Sequence, residues 1–325
     1  MKVLFAGSSF DRIKESFISL FSGLDIRIAR DEEINEALPW AEVLVTPPRA
    51  IDESFLKRAV SLRLIQQWGT GIEGVDLGAC SALGITVCNV PSRGTGNAES
   101  VAEIALMLML LLARRFSRAQ ENLLKIGRVH APKGITLWKR RACLVGLGDL
   151  GHCIAERLLC LGMEVVGVNR TVRPEFQDWG LRSVHPLDEL EKAVVGCDFL
   201  LLALPLNKDT AGIVDRKILR ALGPKGYLVN VARGGLVVRE DLEAALDAGE
   251  IAGAGLDVFW VEPPDPNDPL LRRANVVATP HIGGVTDEAL NGVASFIRNN
   301  LERFARGEAP LSQVFLPAGR AETRP

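Results

Sequence analysis

The sequence predicts an α/β protein built from two doubly wound parallel-sheet domains, and three observations carry that expectation. Short apolar runs recur along the chain, such as Val3 to Ala6, Val43 to Thr46 and Phe199 to Ala203, and they are continuous rather than alternating. Stretches of helical character separate them. A glycine-rich turn, Gly146 to Gly151, joins one such run to the next helix. Continuous apolar strands are buried on both faces, the habit of a parallel sheet covered by crossover helices. A chain of 325 residues suits two such domains and a core that needs neither disulfide nor structural metal.

Taken in order, the first hundred residues read as a small open α/β domain. Val3 to Ala6 is a strand closed by Gly7, and Val43 to Thr46 is one stopped by Pro47-Pro48. Leu62 to Gln67 and Ile85 to Asn89 follow the same style. Asp52 to Val60 is a helix with Asp52 as its N-cap. A second series opens with a long helix from Ala98 to Ser117. It continues through strand Ala142 to Val145, the glycine turn and a helix ending near Leu161. Strands Glu164 to Val168, Phe199 to Ala203, Tyr227 to Val231, Gly253 to Asp257 and Val276 to Ala278 complete a sheet of six or seven strands. A helix from Asp287 to Arg306 leads to a polar, loose tail from Leu316 to Pro325. The domains are therefore expected at 98–286 and at 1–97 joined by 287–325, with the two long helices as a hinge.

Composition excludes several function classes. Lys plus Arg number 38 and Asp plus Glu 40, a net charge of −2, which argues against a nucleic-acid partner. The six cysteines (80, 88, 143, 153, 160 and 197) form no CxxC pair and no metal-ligand spacing with histidine. With no signal peptide in view, the expectation is a reduced, cytoplasmic chain without a metal. The longest apolar run, Val101 to Ala113, is interrupted by Glu103 and falls short of the ~20 residues of a membrane span. It reads as a helix buried between domains or subunits.

Gly146-Leu147-Gly148-Asp149-Leu150-Gly151 matches G-x-G-x-x-G between an apolar strand and a helix. The first glycine permits the tight turn, the second lets backbone approach a pyrophosphate, and the third allows close helix–sheet packing. The helix N-terminus adds free N–H groups and partial positive charge. A merely structural strand–helix turn is the alternative. About 20 residues on, an acidic residue ordinarily accepts bonds from the ribose hydroxyls. Here the strand ends in Asn169-Arg170-Thr171-Val172-Arg173. A carboxylate about 4 Å from a 2′-phosphate costs about 4 kcal/mol at an effective dielectric near 20. Asn169 removes that repulsion, and Arg170, Thr171 and Arg173 offer donors. The pattern predicts NADP preferred over NAD, against the alternative of solvated arginines that discriminate little.

Three later segments place polar residues at strand ends: Asn230 to Gly235, Asp257 to Pro263 and Thr279 to Gly284. In an open α/β sheet such ends face the ligand crevice. At these motifs the chain resembles the D-isomer-specific 2-hydroxyacid dehydrogenase family over nearly its whole length. Asn97 to Glu103 resembles the stretch opening that family's nucleotide-binding domain, and Gly69 to Asp76 its substrate-side glycine loop. The resemblance implies a Rossmann-type cofactor domain, a smaller flavodoxin-like substrate domain and a homodimer.

It further implies that Arg233 binds the substrate carboxylate, that His281 is the acid/base and that Glu262 is its partner. Thr70 and Gly71 fall on the substrate side, and Asp257 would meet the nicotinamide carboxamide. Pro205, Thr210, Val231, Arg233, His281 and Gly283 join the cofactor set by the same resemblance. Chemistry agrees with the central roles. A histidine suits proton delivery near neutral pH, a carboxylate on its other nitrogen favours imidazolium, and guanidinium matches carboxylate as a planar fork. Each residue alone has a bland alternative: a structural histidine, a loop salt bridge, a turn cap.

The implied reaction is NADPH-dependent reduction of a small 2-oxo acid, of the glyoxylate or hydroxypyruvate kind, to the D-2-hydroxy acid. Phosphite or phosphoglycerate oxidation by a relative, and a non-enzymatic NAD(P)-sensing protein, are the alternatives. Glutamate at position 262 disfavours the formate branch, and no regulatory domain is expected after residue 310. Trp260 is open between packing beneath its loop and facing solvent. Arg49 is expected to be solvated, with substrate contact as the alternative.

Overall fold

The computed structural model describes residues 1–12, 19–126 and 132–315. The expected loose tail and His130 lie outside the described residues. Contacts divide the chain into two compact units, Met1–Asn97 with Asp287–Pro325, and Ala98–Thr286.

In the first unit, β1 (Lys2–Ala6), β2 (Asp25–Ala29), β3 (Val43–Thr46), β4 (Leu64–Gln67) and β5 (Thr86–Cys88) form a parallel sheet in the order β5-β4-β3-β1-β2. That is the flavodoxin-like order. Alternate residues feed opposite faces: Leu4, Ala6 and Leu44 enter one apolar cluster, Val3, Phe5, Val43 and Val45 the other. The second cluster is closed by Val293, Ala294, Ile297 and Leu301 of the helix Asp287–Ala305, which explains why the chain returns to this unit. Asp52 caps the helix Glu53–Arg58 as expected, accepting from Phe55 N–H at 2.7 Å.

The second unit holds β6 (Arg141–Val145), β7 (Glu164–Asn169), β8 (Ser183–Pro186), β9 (Phe199–Leu202), β10 (Tyr227–Asn230), β11 (Gly253–Leu256) and β12 (Val276–Ala278). They run parallel in the order β8-β7-β6-β9-β10-β11-β12, the Rossmann arrangement with an added strand. Phe199 to Leu202 are all buried, with Phe199 and Leu201 on one face and Leu200 and Leu202 on the other. The helix Asn97–Ala113 covers the first of these faces through Ala102, Ala105, Leu108, Met109 and Leu112.

Several expectations are corrected. The long helix stops at Ala113 instead of Ser117. Arg115 takes φ 50°, and a separate helix, Phe116–Ile126, follows. His185 lies in edge strand β8 rather than a polar connection, its ring between Ser183 Oγ at 3.0 Å and Glu189 Oε2 at 3.3 Å. Strand β2 was not foreseen, nor was β13 (Gln313–Phe315), which pairs antiparallel with β5. Fully buried Asn300 clamps the chain leading into β13, donating to Gln66 Oε1 and Leu311 O and accepting from Leu311 N–H.

The six cysteines are free thiols, five of them buried. No described helix is long and apolar enough to cross a membrane. Among the described residues no cluster of His, Cys, Asp and Glu is placed to hold a metal ion.

Candidate active site

The glycine turn joins β6 to the helix Asp149–Cys160, and its three glycines meet three different surroundings. A Cβ on Gly146, whose φ is +97°, would stand 2.6 Å from Ala203 O at the end of β9. One on Gly151 would stand 2.0 Å from Gly146 O. One on Gly148 would meet nothing within 4 Å. Two glycines therefore serve close packing, and the second leaves an open cradle at a helix N-terminus that has no side-chain cap. Such a cradle fits a pyrophosphate, since N–H groups and the helix dipole favour an anion there. Asp149 and Leu150 stand in the first turn, Leu150 packed on the adjoining core.

At the end of β7, Asn169 braces the turn. Its Oδ1 accepts from Leu147 N–H at 3.1 Å and its Nδ2 donates to Thr171 O at 2.8 Å. Arg170, Thr171 and Arg173 are exposed beyond it. Arg173 is not simply solvated; it lies 3.4 Å from Glu175. Pro205 is exposed, whereas Thr210 is 5% exposed and its hydroxyl donates to Pro205 O at 2.8 Å. Thr210 thus holds the Pro205 loop from inside. The Val231 side chain is likewise packed in the core, leaving only its backbone for a ligand.

The catalytic candidates come together at the carboxyl ends of β10, β11 and β12. His281 Nδ1 lies 2.6 Å from Glu262 Oε2, and Glu262 Oε1 accepts from Phe259 N–H at 3.0 Å. Burial pushes the Glu262 carboxyl up, but the bonds from His281 and Phe259 outweigh it and hold it below the usual range. The same Glu262 bond is the largest cause raising the imidazole above its ordinary value, against burial and the positive charge of Arg233. Arg233 is therefore close enough to act on both partners. It is half-buried, and its Nη1 donates to Ala232 O at 2.7 Å.

His281 itself adopts φ 52°, a left-handed conformation that a residue with a Cβ seldom takes. Asp257 keeps it there. This carboxylate is 1% exposed and accepts from the Thr279 hydroxyl at 2.6 Å, Ile282 N–H at 2.9 Å and Gly283 N–H at 2.9 Å. His281 N–H donates to Asp257 O at 2.8 Å. Gly283 is thus engaged by Asp257 through its N–H, and a Cβ there would stand 2.9 Å from Asp257 Oδ2.

Two contributors carried no expectation. Asn230, 1% exposed, accepts from Ala232 N–H at 3.1 Å and donates to Arg233 O at 2.8 Å, so it shapes the Arg233 turn. Thr279 locks the His281 loop onto Asp257. Asn230 was legible only as a polar residue closing an apolar strand. Trp260 is resolved: it packs on the core beneath its loop, and its Nε1 donates to Val237 O at 2.6 Å. In the first unit, Gly71 is buried, and exposed Thr70 donates its hydroxyl to Val90 O at 3.2 Å. Arg49 is paired with Asp31 at 2.8 Å, correcting the expectation of a solvated arginine.

Residues 106–283 match the family model described as D-isomer specific 2-hydroxyacid dehydrogenase, NAD binding domain. The chain belongs to the D-isomer-specific 2-hydroxyacid dehydrogenase family. A glyoxylate reductase of Thermococcus litoralis is 34% identical over 81% of this chain and 80% of its own length. A D-3-phosphoglycerate dehydrogenase of Archaeoglobus fulgidus is 32% identical over 98% of this chain, which spans only 60% of that relative. Among solved structures, an NADPH-dependent glyoxylate/hydroxypyruvate reductase of Sinorhizobium meliloti, in complex with NADP and malonate, superposes with a TM-score of 0.81. It is 30% identical, with 96% of each chain covered.

Proposed function

We propose that this member of the 2-hydroxyacid dehydrogenase family reduces a small 2-oxo acid to the D-2-hydroxy acid with NADPH preferred over NADH. The observation that carries the reading is the His281–Glu262 bond with Arg233 beside it. Bound nicotinamide supplies the hydride. His281, kept charged by Glu262, donates its Nε2 proton to the substrate oxygen. Arg233 holds the substrate carboxylate as a fork. The Asp257 carboxylate, which already organises the His281 loop, would receive the carboxamide.

NADP preference is supported by Asn169 in place of an acid and by exposed Arg170 and Thr171; Arg173, shared with Glu175, contributes less. Glyoxylate and hydroxypyruvate are the first substrates to try, given the printed names of the relatives. A panel of 2-oxo acids assayed with both reduced cofactors tests the proposal. Turnover with KM lower for NADPH than NADH is expected, and a clear NADH preference refutes the cofactor assignment. NADPH bound without any turnover, alongside cofactor-dependent capture of a protein partner, would favour a sensing role.

A further inference from the structure

The helix Asn97–Ala113 lies along β11, and the glycines of that strand show how closely. A Cβ on Gly253 would stand 3.4 Å from Leu112 Cδ2, and one on Gly255 would stand 3.0 Å from Leu108 Cβ. Residues two apart on a strand share a face, and Asp257 follows Gly255 in that alternation. On the helix, Leu108 and Leu112 follow Val101 by seven and eleven residues, which places all three on one face. Helix and strand therefore run in opposite directions. The start of the helix reaches the loop that carries His281.

Contact is made at two points. A Cβ on Gly283 would stand 2.9 Å from Asp257 Oδ2 and 3.2 Å from Val101 Cγ2, so the chain just after His281 is pressed between the carboxylate and the helix. Three residues further on, Thr286 Oγ1 lies 2.8 Å from Ser100 Oγ. Ser100 is 7% exposed. Between the two points, Val285 N–H donates to Ile282 O at 2.9 Å and folds the loop into a turn. All of these residues belong to the unit Ala98–Thr286. Asp257 grips the loop at Thr279, Ile282 and Gly283, and the Ser100 bond lies on the far side of Gly283 from that grip. A left-handed residue such as His281, at φ 52°, persists only where its surroundings over-determine it.

We infer that Ser100 is a positioning residue for His281: through Thr286 it clamps the loop to the helix and so keeps the imidazole against Glu262. The inference rests on the reductase reading above, in which His281 is the acid. Ser100 acts through the loop backbone. A looser loop lets the 2.6 Å bond between His281 Nδ1 and Glu262 Oε2 lengthen, and a longer bond favours the charged ring less. Glu262, Asp257 and Arg233 are the charged groups that act on the ring. Ser100 adds no charge, so a change in the ring's titration on altering Ser100 reports geometry.

The experiment compares Ser100→Ala with wild type by three measurements: the pH–rate profile of reduction, NADPH binding, and an NMR titration of the His281 ring, its signal assigned by its loss in His281→Asn. Ser100→Ala should lower kcat about tenfold and move both the alkaline limb and the ring's titration to lower pH. NADPH affinity should stay within about twofold. Ser100→Thr, which keeps the hydroxyl, should recover most of the loss. Thr286→Val deletes the other hydroxyl at the same shape and should reproduce the change, and the double variant should be no worse than either single one. Thr286→Val carries the test if Ser100→Ala folds poorly. A ring titration that stays in place in both variants overturns the inference, as does a loss of kcat matched by an equal loss of NADPH affinity. A wild-type enzyme that turns over no 2-oxo acid overturns the reductase reading instead, and the NMR titration still decides whether Ser100 positions the ring.

Discussion

His281 is strained and its imidazole is drawn toward the protonated form, and each property has an identifiable source. Its left-handed backbone is held by Asp257, and its protonated form is favoured by the bond to Glu262. The proposed reduction would take its proton from His281, so the rate should hold while the ring is protonated and fall as pH rises through its folded pKa, above the ordinary 6.5. Glu262→Gln removes the largest raising influence. The alkaline limb of kcat/KM for reduction should therefore move to lower pH, read from a pH–rate profile. An unmoved limb would take Glu262 out of its role. His281→Asn should lower kcat by about 10²–10⁴-fold while NADPH binding, followed by fluorescence titration, changes little.

At the scale of elements, the site depends on loops pressed together at strand ends. A Cβ on Gly234 would stand 2.1 Å from the Phe259 carbonyl carbon, so only glycine lets the Arg233 turn rest on the loop carrying Glu262. Gly234→Ala should force these loops apart and reduce kcat more than it reduces NADPH affinity. Asn230→Ala would strand buried partners on Ala232 and Arg233, each costing about 1–3 kcal/mol. We expect a lower Tm and a raised KM for the 2-oxo acid, with NADPH binding nearly retained. Equal loss of both affinities would argue against a role specific to Arg233.

Elements also differ in how plainly the sequence announced them. The central strands β3, β6, β9 and β10 are continuous apolar runs because both their faces are covered, and they were legible within a residue or two. Edge strand β2 mixes exposed and half-buried positions before buried Ala29, and every position of edge strand β8 is half-buried, so Asp25–Ala29 and Ser183–Pro186 carry no such run. Strand β13 depends on Asn300 reaching Leu311 and Gln66, a set of contacts with no local signature. The break at Arg114–Arg115 was hidden because good helix formers lie on both sides.

For the whole molecule, self-association is the remaining expectation. Leu110, Phe116, Leu123 and Leu124 are 41%, 47%, 60% and 78% exposed around the Ala113–Phe116 break. Apolar surface of this kind favours burial against a second copy. Light scattering at micromolar concentration should report a dimer, and Leu123→Glu with Leu124→Glu should yield a monomer. A wild-type monomer would remove the proposal.

The sequence alone determined the two α/β sheets and the glycine turn, because strand burial and glycine turns are written in neighbouring residues, while the three candidate side chains came with the family resemblance. Only the tertiary structure decided which side chains serve one another. Thr210, Asn169 and Gly283 turned out to brace loops, Asn230 to shape the Arg233 turn, and Asp31 to occupy Arg49. These are pairings between polar groups brought together by strand order. A hydrogen bond is settled by a few tenths of an ångström, which spacing along the chain does not encode.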